Sequence, residues 1–99
     1  MTARGHRTAI LLLLDERHRQ DASMTVDDTD IAGALGLPLD EVRRQLDVLE
    51  GQGLIRAANT FGGHSAYISP KGMAAADDLR EASHENPKEK IGFKGKGTE

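Results

Sequence analysis

The sequence predicts an α+β domain, mainly α: a three-helix core, a two-stranded hairpin with one further short strand, and a C-terminal helix. Three observations predict it. Residues 27–55, DDTDIAGALGLPLDEVRRQLDVLEGQGLI, read as helix, tight turn, helix and the start of a strand. Gly62-Gly63 lies between two short runs suited to strands, and a Gly pair supplies the positive φ angles of a tight hairpin. Ser69-Pro70 then opens a helical stretch, with Ser as cap and Pro at the first helical position.

The elements follow in order. Residues 1–7 read as a flexible N-terminus. A first helix is expected over residues 8–19, with Ile10, Leu13 and Leu14 on its core face. Leu11 and Leu12 widen the apolar surface, either to pack under the C-terminal helix, the reading favoured here, or to meet a second subunit. After a polar loop at 20–23, residues 24–26 suit a short strand. Asp27 stands where its carboxylate can cap a second helix, with Asp30 three residues on as a short-armed capping box. Ile31, Ala32 and Leu35 give that helix one apolar face. Gly36 can take the left-handed conformation that ends it, Leu37 plugs the turn, and Pro38 cannot continue it. A third helix starts near Leu39, with Asp40 and Glu41 in a first turn where the helix dipole favours acids. Leu39, Val42, Leu46 and Leu49 recur at helical spacing as its buried stripe, and Gly51 and Gly53 end it. Strands at 55–61 and 65–69 follow, with Ile55, Ala57, Ala66 and Ile68 facing inward and Phe61 or Tyr67 covering the edge. The last helix has Met73, Ala76, Leu79 and Ala82 on its apolar side, and Asn86-Pro87 stops it. The folded domain is thus expected over 8–84. Residues 85–99 form a Lys- and Gly-rich tail too poor in apolar side chains to fold alone, and they read as disordered.

Composition narrows the function. The chain has 99 residues and 37% apolar content, enough for one small core. Three aromatics mean that core is mostly aliphatic. The absence of Cys removes disulfides and thiolate metal sites and fits a reducing cytoplasm. No signal peptide is visible, and the apolar run at 9–14 is too short to span a bilayer, so a soluble cytoplasmic protein without a membrane partner is expected. The net charge is −3 and unevenly spread. Between residues 24 and 55, seven acids face only Arg43 and Arg44, a local net of −5. Residues 1–20 set four arginines against two acids, and the tail from residue 84 sets four lysines against three.

The stretch LGLPLDEVRRQLDVLEGQGLI resembles the turn, recognition helix and first wing strand of winged helix-turn-helix regulators, the group that includes MarR-like and ArsR-like repressors. The pattern is met at Leu35 to Leu37, Val42, Leu46, Leu49, Glu50 and Gly53 to Ile55, and it runs on through YISPKG at 67–72. The resemblance covers most of the chain. It implies that the hairpin is a wing and that the helix near Leu39 enters the DNA major groove. The implied contacts on that helix are Asp40, Arg43, Arg44 and Asp47. Arginine fits the paired acceptors of guanine and neutralises phosphate, while a carboxylate can accept from cytosine. Against this stands a plainer reading, in which Asp40 pairs with Arg43 or Arg44, and Arg43 with Asp47, within one helix. On the wing, Asn59, Thr60, His64 and Ser65 surround the Gly-Gly tip as small polar groups suited to phosphate, and Lys71 follows in the last helix. A polar hairpin tip that merely stays soluble is an equal alternative.

Other chemistry is thinly represented. His6, His18, His64 and His84 show no metal-ligand spacing among themselves, and Asp15 with His18 reads as a solvated helix face. No nucleophile, phosphate loop or cofactor motif stands out, so the chain reads as a non-enzyme without cofactor or metal. The reading that results is a sequence-specific, dimeric regulator that binds double-stranded DNA. The alternative is a winged helix used as a protein-interaction or assembly module, favoured by the acidic excess and by a wing tip without Arg or Lys.

Overall fold

The computed structural model describes residues 2–60 and 63–84. Among these residues four helices and three strands follow in the order α1 (Ala3–Gln20), β1 (Val26–Asp27), α2 (Asp28–Leu35), α3 (Leu39–Gly51), β2 (Ile55–Thr60), β3 (Gly63–Ile68) and α4 (Pro70–His84). The mainly helical α+β class expected from the sequence is the class observed. The tail expected over 85–99 lies outside the described residues.

α1 begins five residues earlier than its apolar spacing indicates. Thr2 provides the reason: its Oγ1 accepts from the backbone N–H of Gly5 at 3.1 Å. That bond satisfies a first-turn donor and lets the helix start at Ala3, where the sequence predicts a loose end. The buried side of α1 is Ile10, Leu11 and Leu14, with Leu12 and Leu13 partly covered. Leu11 is buried and lines a groove together with Ala75 and Leu79 of α4, which places one of the surplus leucines alongside the last helix.

The turn between α2 and α3 is built as its residues require. Gly36 closes α2 at φ 66°, a left-handed conformation that costs glycine little, and its N–H returns to the carbonyl of Ala32. Pro38 precedes α3 as its N-cap residue. α3 buries Val42, Gln45, Leu46 and Leu49, a stripe at the expected spacing except that Gln45 replaces Leu39 among the covered residues. Asp27 does occupy the N-cap position of α2, yet its carboxylate makes no capping bond. It accepts instead from the Ser65 hydroxyl across the sheet. Cross-strand pairing brings Ser65 directly opposite Asp27, and that partner wins over the local N–H.

The sheet has the order β1-β3-β2, all antiparallel. Register pairs Ile55 with Ile68, Ala57 with Ala66 and Thr60 with Gly63. Gly63 and His64 therefore belong to β3 rather than to the tip. The short first strand is Val26–Asp27, shifted from the 24–26 expected. Ile55, Ala66 and Ile68 are buried, whereas Ala57, expected inward, is exposed, as is Ala82 of α4. Among the described residues the buried hydrophobic core is aliphatic, from Ile10 and Leu14 through Ile31, Val42 and Leu49 to Ile68 and Ala76.

α4 is locked onto the turn between α3 and β2. The Ser69 Oγ accepts from Gly72 N–H at 3.0 Å and donates to the Gly53 carbonyl at 2.6 Å. The Ser69 N–H donates to the Leu54 carbonyl at 3.0 Å. Among the described residues no helix is long and apolar enough to cross a membrane.

Candidate nucleic-acid interface

With Val42, Leu46 and Leu49 turned inward, α3 presents Asp40, Arg43, Arg44 and Asp47 to solvent. Arg43 and Asp47 of α3 line a cleft of about 180 Å³ together with His64 and Ser65 of β3. Glu50 stands at its side, and Leu46 and Ile55 form an apolar floor. Four of the residues singled out in the sequence thus meet between α3 and the hairpin. Asn59 pairs with His64 and Thr60 with Gly63 through the backbone; the side chains of these two lie outside the described residues. Lys71 is exposed over Gly53, at the C-terminal end of α3, where a helix terminus favours a cation. It stands apart from the arginine pair.

The charges are not paired as helical spacing suggests. Among the described residues no ion pair forms within α3. Arg43 Nε donates instead to Asp28 Oδ2 at 2.8 Å, with the Asp28 side chain only 4% exposed and that of Arg43 52% exposed. A buried carboxylate needs a partner, and Asp28 has the arginine and the N-terminus of α2, whose dipole also favours it. Arg43 is therefore a structural tether as well as a surface cation. Arg44 is exposed and makes no ion pair among the described residues. Ser65 is buried with its hydroxyl directed at Asp27, which withdraws it from the surface a duplex would meet.

A second network was invisible to spacing because it joins distant segments. His6 Nδ1 lies 2.8 Å from Glu41 Oε2, and the Gln45 amide donates to the same oxygen at 2.9 Å. Arg7 donates to the Gln45 carbonyl oxygen at 3.0 Å. The bonds from His6 and then Gln45 hold the Glu41 carboxyl below the usual glutamate range. The one legible sign was Gln45 itself, a polar residue three positions from Val42 on an apolar stripe.

Asp15 is not on a solvated face. It is 2% exposed and is held by Arg80 of α4 and by Arg19 Nε at 3.1 Å, while Arg19 also reaches Asp77 at 2.8 Å. The cluster staples α1 to α4. His18 does not join it; its Nδ1 is buried without a hydrogen-bond partner among the described residues. Nor do three His, Cys, Asp or Glu side chains converge as metal ligands among those residues.

The architecture has close counterparts among solved structures. A protein of Ralstonia eutropha JMP134, described as a candidate DNA-binding protein, superposes with TM-score 0.69 at 26% identity over 76% of this chain and 94% of its own. The chain is a winged helix-turn-helix domain. A MarR-family regulator of Neisseria meningitidis gives TM-score 0.65 at 23% identity, over 81% of this chain and 54% of that one. The zinc-responsive MarR-family member ZitR of Lactococcus lactis gives TM-score 0.61 at 23% identity, over 81% and 52%. The winged-helix domain thus spans about half the length of these two regulators. No protein-family model matches the chain, and comparison with curated proteins finds no match.

Proposed function

We propose that this winged-helix domain is a sequence-specific DNA-binding transcriptional regulator, acting in the cytoplasm as a homodimer. The observation that carries the reading is the convergence of Arg43, Asp47 and His64 on the cleft between α3 and the wing, beside the exposed Arg44. In this reading α3 enters the major groove. Arg44 is the principal base or phosphate contact, and Arg43 contributes its exposed guanidinium edge while Nε stays on Asp28. Asp40 and Asp47 accept from base amino groups, and Asn59, Thr60, His64 and Lys71 meet the backbone. Two copies double the phosphate contacts that one small domain makes. Likeness in fold to MarR-family regulators, which are not enzymes by name, supports a non-catalytic role.

Fluorescence anisotropy with mixed-sequence duplex DNA over a salt series tests this. Binding that weakens steeply with salt supports it, and the slope counts the phosphates engaged. No binding even at low salt refutes it. One observation favours a second reading in that event. Asp30, Asp40, Asp47 and Glu50 are exposed around α2 and α3, an acidic face suited to a protein partner with a basic surface.

A further inference from the structure

We infer that the imidazole of His6 is a proton-dependent mask over Glu41, so that the start of α3 carries one negative charge less when His6 is protonated than when it is neutral. The consequence for DNA rests on the function proposed above; the mask itself does not.

The argument begins with placement. Glu41 lies in the first turn of α3, between Asp40 and the outward-facing Arg43 and Arg44. A bare carboxylate there repels phosphate and offsets Arg44, whose charge acts on Glu41. The carboxylate is not bare. His6 and Glu41 contact at 2.8 Å with side chains only 18% and 23% exposed, so screening by water between them is limited. Gln45, buried on the core side, fixes the same carboxylate oxygen, and Arg7 fixes Gln45. The pair is thus pre-positioned, and no rotamer search accompanies a change of charge.

Protonation alters the charge and leaves the contact in place. A neutral imidazole with its hydrogen on Nδ1 still donates to Glu41, and an imidazolium donates from the same atom. Only the imidazolium cancels the carboxylate. Imidazoles change charge close to neutral pH, unlike the other partners here. Asp40 neighbours Glu41 in the first turn of α3, and further charged groups come from each element of the domain. α3 contributes Glu41 and Arg44, and α1 contributes Arg7 through Gln45. α4 contributes Asp78, which shares a groove with Arg4 and Arg7. The inward acid of α2, Asp28, is already held by Arg43. The ionisable residues of β3 are His64, in the cleft beside the wing, and Tyr67. His64 is thus a second imidazole on the proposed DNA face, and its variant serves as the control.

The test is anisotropy with mixed-sequence duplex DNA at constant ionic strength, from about pH 5.5 to about pH 8. One charge at this range from phosphate is worth about threefold to tenfold in affinity. Wild-type affinity is expected to fall by that factor as pH rises. His6→Gln is expected to hold the weaker value throughout, and His6→Lys, a permanent cation, the stronger one. Full pH dependence surviving in His6→Gln, with loss of it in His64→Gln, overturns the inference. If wild type binds no DNA at any pH, the functional reading has failed and unfolding decides the mask. A double-mutant cycle of His6→Gln with Glu41→Gln, read by thermal melting, should then show stronger coupling at the acid end of that range. Equal coupling at both ends overturns the mask.

Discussion

Arg43→Ala and Arg44→Ala, made separately, are expected to divide into a stability variant and a surface variant. The two residues are adjacent, both basic, and both exposed on α3, yet only Arg43 holds a buried carboxylate. Removing one partner of a fully buried pair costs about 3–5 kcal/mol. Here the arginine is half exposed and the α2 dipole supports Asp28, so water and backbone recover part of the loss. The remaining cost of Arg43→Ala is about 1–3 kcal/mol. In a domain of this size each kcal/mol lowers Tm by about 4–8 °C. Arg44→Ala, with no ion pair to break, should stay within about 0.5 kcal/mol of wild type. Thermal melting followed by circular dichroism at neutral pH reads both. Asp28→Asn in the Arg43→Ala background should restore part of the lost Tm, because the uncompensated charge is gone. Equal melting of the two single variants would refute the tether. DNA affinity should fall in both, which separates what Arg43 does for the fold from what it contributes at the surface.

The glycines give a second pair of outcomes. At Gly72 an added Cβ would lie 1.9 Å from the Leu54 carbonyl oxygen and 2.7 Å from Ile68 Cγ1, while at Gly33 it would meet nothing within 4 Å. Gly72→Ala should therefore force α4 off the α3–β2 turn and cost about 2–4 kcal/mol in chemical denaturation, from overpacking and the lost Ser69–Leu54 bond. Gly33→Ala, inside α2, should add about 0.5–1 kcal/mol. On the acid side, the depressed Glu41 pKa makes a stabilising contribution that is complete above the ordinary value of 4.5 and lost as pH falls through the depressed one. Glu41→Gln should flatten stability against pH below that value, as followed by acid titration of the far-ultraviolet signal.

Local signals carried most of the fold into view. Gly36, Pro38 and the Ser69-Pro70 start act on their immediate neighbours, so their roles are legible from adjacent residues. The apolar stripe of α3 is similarly a matter of spacing. What spacing misses is competition from distant partners. Asp27 turns from the cap of α2 to Ser65, 38 residues away, and Arg43 turns from Asp47 to Asp28, 15 residues away. Asp15 resembles a surface acid until α4 delivers Arg80 from 65 residues on. The wing was placed correctly as a hairpin, but β3 begins at Gly63 where the sequence put its start at residue 65, because a Gly beside a turn can also pair as the first residue of a strand. Ser65 illustrates the consequence: its position beside a Gly tip suggested exposure, and pairing with β1 buried it. The candidate site was thus legible as a set of residue types on one helix and one hairpin. Which of those side chains remain available depends on tertiary partners.

The most direct test of the account is an amide chemical-shift titration of the isotope-labelled domain with duplex DNA at low salt. The account predicts shifts concentrated in residues 39–47 of α3, in 59–60 and 63–66 of the wing, and at Lys71, with the rest of α4 little affected. Shifts absent throughout, or concentrated on α1 and α4, would contradict it.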